Sequence, residues 1–193
     1  MNDLGTGEAR HKADLRRYLQ DARDALLWKL DGLSDYDVRR PLTPTGTNLL
    51  GLLKHLTAVE LGYFCDTFGR PHGESSIDPE KDMYATADET REQIVAGYRR
   101  AWTHSDAAID ALALDTVGTV PWWPEGRNEA TFHHLLVRVL SDTQRHAGHA
   151  DILREGLDGA VGYREDNGSL PSRDPQEWAA YRAELEDIAR RSG

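Results

Sequence analysis

Leu15, Leu19, Ala22, Leu26, Leu30 and Leu33 recur at steps of three and four, the spacing that gathers side chains on one face of an α-helix. The pattern predicts an amphipathic helix over about residues 8–33, with Ser34 opening a turn. Residues 40–46 hold two prolines and a glycine and do not continue a helix. Thr47 or Asn48 then offers an N-cap for a second helix to about Phe68, whose inner stripe is Leu49, Leu52, Leu53, Leu56, Val59 and Tyr63. Residues 69–82 read as a long exposed loop, and Asp88 as the cap of a third helix with Ile94, Tyr98, Ala101, Ser105, Ala108 and Leu112 inside. The segment 120–126, with two prolines, is another loop. Thr131 is the expected N-cap of a fourth helix that runs to about Glu155 and is closed by Gly156.

Beyond Gly162 the chain is polar until Asp174-Pro175-Gln176-Glu177, where Asp as N-cap, Pro at the first helical position and Glu at the third form a helix-start signal. A short tail helix with Trp178, Tyr181 and Leu185 is expected there. No strand-like alternation of any length is apparent, nor any internal repeat. Four long helices with short connections define the expected fold class: all-α, a four-helix bundle with a short C-terminal helix. One domain over residues 1–193 is expected, its core at about 8–162 and an extension at 163–193.

Charge narrows the function. Twenty-three Lys and Arg against thirty-three Asp and Glu leave a formal charge of −10, which opposes binding to phosphate backbones or anionic lipid, so no nucleic-acid partner and no membrane partner is expected. No run of about eighteen apolar residues is present to span a bilayer, and residues 1–17 are polar, unlike a signal sequence, so the expected location is cytoplasmic. The one cysteine, Cys65, rules out an internal disulfide and a Cys-rich zinc site. Its helical projection points well away from His55, which argues against a catalytic thiol.

Eight histidines are present, and projection at about 100° per residue sorts them. On the fourth helix, Phe132, Leu135, Val139, Ala150 and Leu153 draw the apolar stripe. His146 falls inside it, Asp142 and His149 lie on its edge, and His133 and His134 point elsewhere. Asp142 and His146 are four apart, so their side chains lie one above the other and are placed to share one metal ion. A plain Asp–His hydrogen bond is the alternative, since each buried polar group left unpaired costs on the order of 1–3 kcal/mol. On the second helix His55 flanks the inner stripe and Glu60 lies within it. His55 on a facing helix supplies a third ligand, and two histidines with one carboxylate leave coordination positions open, as in a catalytic site.

At these residues the sequence resembles the DinB-like superfamily of metal-binding four-helix bundles, in its actinobacterial mini-circle branch. The resemblance is carried by residues 42–64 (LTPTGTNLLGLLKHLTAVELGYF), 120–124 (VPWWP) and 141–162 (SDTQRHAGHADILREGLDGAVG). It covers nearly the whole chain up to Gly162. In that superfamily a His on the second helix, and a His or Glu and a further His four residues apart on the fourth, hold a metal, which maps to His55, Asp142 and His146. The chain departs at position 142, where Asp is one methylene shorter than Glu, and His149 is the alternative ligand or a donor to one. Relatives are similar to mycothiol- or bacillithiol-dependent enzymes that transfer sulfur or isomerise a small substrate. Nineteen of the 23 basic residues are Arg, a bias that fits an actinobacterial host and so mycothiol.

The resemblance therefore implies a divalent metal ion, zinc first and nickel or iron next, a low-molecular-weight thiol as cosubstrate, a small-molecule electrophile, and a homodimer. Glu60, or Glu155, is a candidate for orienting the histidines or moving protons. Trp122 and Trp123, just before the fourth helix, are candidates for an apolar roof over the pocket. Three functions stay open: a thiol-dependent S-transferase or isomerase, a hydrolase or lyase using metal-bound water, and a non-catalytic metal-binding bundle.

Overall fold

The computed structural model describes residues 3–164, 166, 170–171 and 174–192. Its helices are α1 (Asp3–Trp28), α2 (Asp35–Arg39), α3 (Leu49–Phe64), α4 (Arg91–Ala111), α5 (Phe132–Asp158) and α6 (Pro175–Ser192). The four long ones, α1, α3, α4 and α5, form the bundle. Both α1 and α3 pack against α4 and α5, so the four close into a ring around a core in which Leu26, Leu50, Leu53, Leu56, Tyr98, Phe132 and Leu135 are fully buried. The all-α fold class stands.

Several boundaries differ from the expectation, each for a local reason. The first helix stops at Trp28, and a tight turn with Gly32 at φ 76° leads into the unexpected α2. Ser34 starts α2 by accepting a hydrogen bond from the Asp37 amide at 3.1 Å, a cap that relieves one orphan donor of the first turn. Asn48 caps α3, as expected. That helix ends at Phe64 rather than Phe68, and residues 66–68 tighten into a 3₁₀ turn closed by left-handed Gly69. The cap of α4 is Thr90, not Asp88, because Thr90 and Gln93 form a reciprocal capping box that Asp88 has no partner to match. Thr131 caps α5, but the helix passes Gly156 and closes at Gly159, whose φ of 78° suits the left-handed C-terminal position. Asp174 accepts from the Gln176 and Glu177 amides and starts α6, which buries no side chain.

Contrary to the reading of no strands, Val117–Thr119 (β1) pairs antiparallel with Glu129–Thr131 (β2), Gly118 opposite Ala130. Three residues per strand are too few for alternation to register in a sequence. This ribbon leads directly into α5.

The long connection after α3 is not a free loop. Its last part is strapped onto α3, which is consequently buried on nearly every side, including Leu50, Lys54 and Thr57 outside the expected stripe. Asn48 donates to the Met83 carbonyl at 3.2 Å, and Lys54 donates to the Tyr84 carbonyl at 3.2 Å and pairs with Glu89 at 2.7 Å. Gly51 lies so close beneath Met83 that a Cβ there would stand 1.9 Å from the Met83 carbonyl oxygen. Only glycine admits this approach of two backbones. The strap places Asp82 against α3.

Candidate metal centre

α3 contributes His55, and α5 contributes Asp142 and His146 one turn apart. Ligand atoms of these three residues all lie within 4.8 Å of one another. Asp142 sits between the imidazoles: its Oδ2 is 3.7 Å from His55 Nε2 and its Oδ1 is 3.6 Å from His146 Nε2. Both separations exceed a hydrogen bond. They compare with about 3.3 Å between two donors of a tetrahedral ion at 2.0–2.1 Å bond lengths. The two His–Asp edges, each to a different oxygen of Asp142, are thus a few tenths of an ångström longer than in such an ion. The donor set, two imidazole nitrogens and one carboxylate, suits zinc and neighbouring transition ions. The group is half-buried, with Asp142 the most exposed of the three at 36%.

A fourth residue, absent from the sequence reading, orients the set. Asp82 Oδ2 is 2.7 Å from His55 Nδ1. An ionised carboxylate only accepts, so His55 Nδ1–H donates to it, and the Nε2 lone pair is turned toward Asp142 and His146. This is the carboxylate–histidine arrangement that fixes a ligand's tautomer and raises its basicity. His149 stands behind His146, with the two Nδ1 atoms 3.4 Å apart, and is exposed. Burial works against protonation of His55, but Asp142 and Asp82 outweigh it and leave its pKa above the ordinary value. For His146 burial dominates, Asp142 offsets it only in part, and the pKa is lowered. The Asp142 carboxyl is held below its usual range, first by His55.

The other expected residues fall elsewhere. Glu60 is fully buried and both its oxygens are taken by Arg23, at 2.9 and 2.5 Å. Glu155 is exposed at the far end of α5. Cys65 is buried, and burial pushes its thiol up to about 11. Trp122 and Trp123 pack edge-on against Tyr63, with ring centroids 5.1 and 6.2 Å away. They back the wall of the site through Tyr63.

A cavity of about 900 Å³ opens beside the cluster, lined by His55, Asp142, Val59, Tyr63, Val137 and Arg138 among others. His133, His134 and Arg145 also line it. The signal for this wall was present in the sequence as a polar stripe on α5, His134–Arg138–Asp142, at four-residue spacing.

A helical bundle with a His–Asp–His cluster at the mouth of a cavity defines a class: DinB-like bundles with a metal-type centre. The profile of the mycothiol-S-transferase family matches residues 14–159. The chain belongs to that family, which lies within the DinB-like superfamily. Compared individually with curated proteins, the chain finds no match. Among the described residues no helix is long and apolar enough to cross a membrane.

Proposed function

We propose that this protein is a metal-dependent thiol S-transferase that joins mycothiol to a small electrophile, with His55, Asp142 and His146 as the ligands of one divalent ion, zinc by first preference. The observation that carries the reading is the convergence of those three donors, two of which, His55 and Asp142, line the 900 Å³ cavity. When bound, the ion supplies Lewis acidity that lowers the pKa of a thiol placed against it.

The chain's own residues do the rest. Asp82 holds the His55 ring in the tautomer that offers Nε2. Val59, Val137 and Val139 give the cavity an apolar wall. Cys65, buried and with its thiol pushed up to about 11, offers no nucleophile, so the sulfur comes from a cosubstrate. A reducing cytoplasm is the compartment that keeps such a thiol available.

The test is metal analysis of untagged protein beside His146→Ala, together with mycothiol consumption. Wild type should carry about one ion per chain, the variant should lose it, and an electrophile should be consumed only when thiol is added. Equal metal content in both proteins ends the site reading. Turnover without thiol, abolished by a chelator, replaces S-transfer with hydrolysis.

A further inference from the structure

The cavity beside the cluster carries a second kind of chemistry. Its lining includes two arginines, Arg138 and Arg145, and one carboxylate, the candidate ligand Asp142. Among the described residues no carboxylate oxygen stands within 4.0 Å of either guanidinium. In a chain of formal charge −10, two arginines outside any ion pair on one cavity wall are a local concentration of positive charge, and Arg138 helps to hold the Asp142 carboxyl below its usual range.

Arg138 is also held in place. Its Nε donates to the Tyr63 hydroxyl at 3.0 Å, and its guanidinium carbon stands 5.4 Å from the ring centroids of both Tyr63 and Trp123. The aromatic rings steady the plane, and the Nη end of the fork makes no hydrogen bond to a described residue. A planar, oriented fork with free N–H groups matches a carboxylate through two parallel hydrogen bonds. Arg138 precedes Asp142 by one turn, so the two side chains lie on the same face of α5 and line the same cavity.

We propose that Arg138, supported by Arg145, is a carboxylate-binding subsite, and that the electrophile is a small organic acid held by its carboxylate beside the cluster. Assigning the acid as electrophile rests on the S-transfer reading; the binding does not. Tyr63 and Trp123 act here as positioning residues for Arg138. The imidazoles of His133 and His134 on the same wall add hydrogen-bonding groups.

Two measurements test it. Calorimetric titration of the purified protein with succinate, and with succinamide as the neutral control, reads the subsite directly. Succinate should bind and succinamide should not. Arg138→Gln should weaken succinate binding on the order of 10-fold to 100-fold, and Arg138→Lys, which keeps charge but not the fork, should fall between. No succinate binding by wild type, or equal affinity in Arg138→Gln, overturns the proposal.

The second measurement compares iodoacetate with iodoacetamide as acceptors of mycothiol. The thiolate sulfur forms a bond to the methylene carbon, iodide leaves with the bonding pair, and the thiol proton passes to solvent. Arg138→Gln should lower kcat/KM for iodoacetate about 10-fold, mainly through KM, and leave iodoacetamide within about 2-fold. Equal losses on both, or a change confined to the KM for mycothiol, overturn the assignment to the electrophile. No turnover with either acceptor counts against S-transfer itself, while the succinate titration still decides the subsite.

Discussion

Removing Asp82 isolates the residue that no pattern in the sequence marked. Its Oδ2 accepts from His55 Nδ1 at 2.7 Å, and both side chains are mostly covered, 17% and 24% exposed. A hydrogen bond to a charged group contributes about 1.5–3 kcal/mol. Loss of a carboxylate that orients a ligand histidine lowers metal affinity about 10–100-fold, or about 1.4–2.7 kcal/mol. The two ranges overlap, so most of the bond's worth should appear as metal affinity. Asp82→Ala should therefore weaken the ion by about 10–100-fold, Asp82→Asn, which keeps an acceptor but not the charge, by less, and Asp82→Glu should restore part of it. The assay is competition against a chelator of known affinity at about pH 8, where protons compete little for imidazole. In metal-free protein the ring ¹⁵N shifts of His55 should move from the Nδ1–H tautomer toward a mixture. Unchanged affinity together with unchanged ring shifts in Asp82→Ala would refute the reasoning, since the bond would then hold only the strap.

Four further outcomes are expected. Arg23→Met strands the fully buried Glu60 without its cation and should cost about 3–5 kcal/mol in urea unfolding, with Arg23→Met/Glu60→Leu recovering much of it; a loss below about 1 kcal/mol would mean that water reaches Glu60. Gly51→Ala drives a Cβ into the Met83 backbone, 1.9 Å from its oxygen, and should cost about 1–3 kcal/mol and loosen the metal with the strap. Gly62→Ala meets only the far end of the exposed Trp122 ring, so thermal melts should place it near wild type. In metal-free protein the raised His55 pKa stabilises the fold below the ordinary histidine value, and that contribution is lost as pH rises through the folded value. Metal needs the deprotonated ring, so the apparent affinity for metal should begin to fall on acidification while the pH is still above the ordinary histidine value of about 6.5; an affinity that stays level down to that value would contradict the influence of Asp82 and Asp142.

Much of the bundle was legible because helices announce themselves locally. The steps of three and four along α1 and α4, the caps at Asn48, Thr131 and Asp174, and the Asp142–His146 pair each depend on residues within a turn or two. The boundaries that slipped were also local, and a closer reading of Thr90 with Gln93 finds the start of α4. The hairpin before α5 left no trace, since three-residue strands carry no period. Glu60 looked like a helper to the histidines because it lies on the inner stripe of α3. Its partner is Arg23, 37 residues away on α1, a pairing that helix periodicity cannot distinguish from others on the same face.

The sequence by itself determined which segments are helical, which faces turn inward and which two residues of α5 share one face, because these follow from backbone geometry over a few residues. Only the tertiary structure decided that His55 stands opposite that pair, that Asp82 arrives from a strap 27 residues along the chain to aim it, and that Arg138 keeps its fork free beside them. Those relations depend on how helices seat against one another and where a loop is pinned, in contacts between residues far apart in the chain.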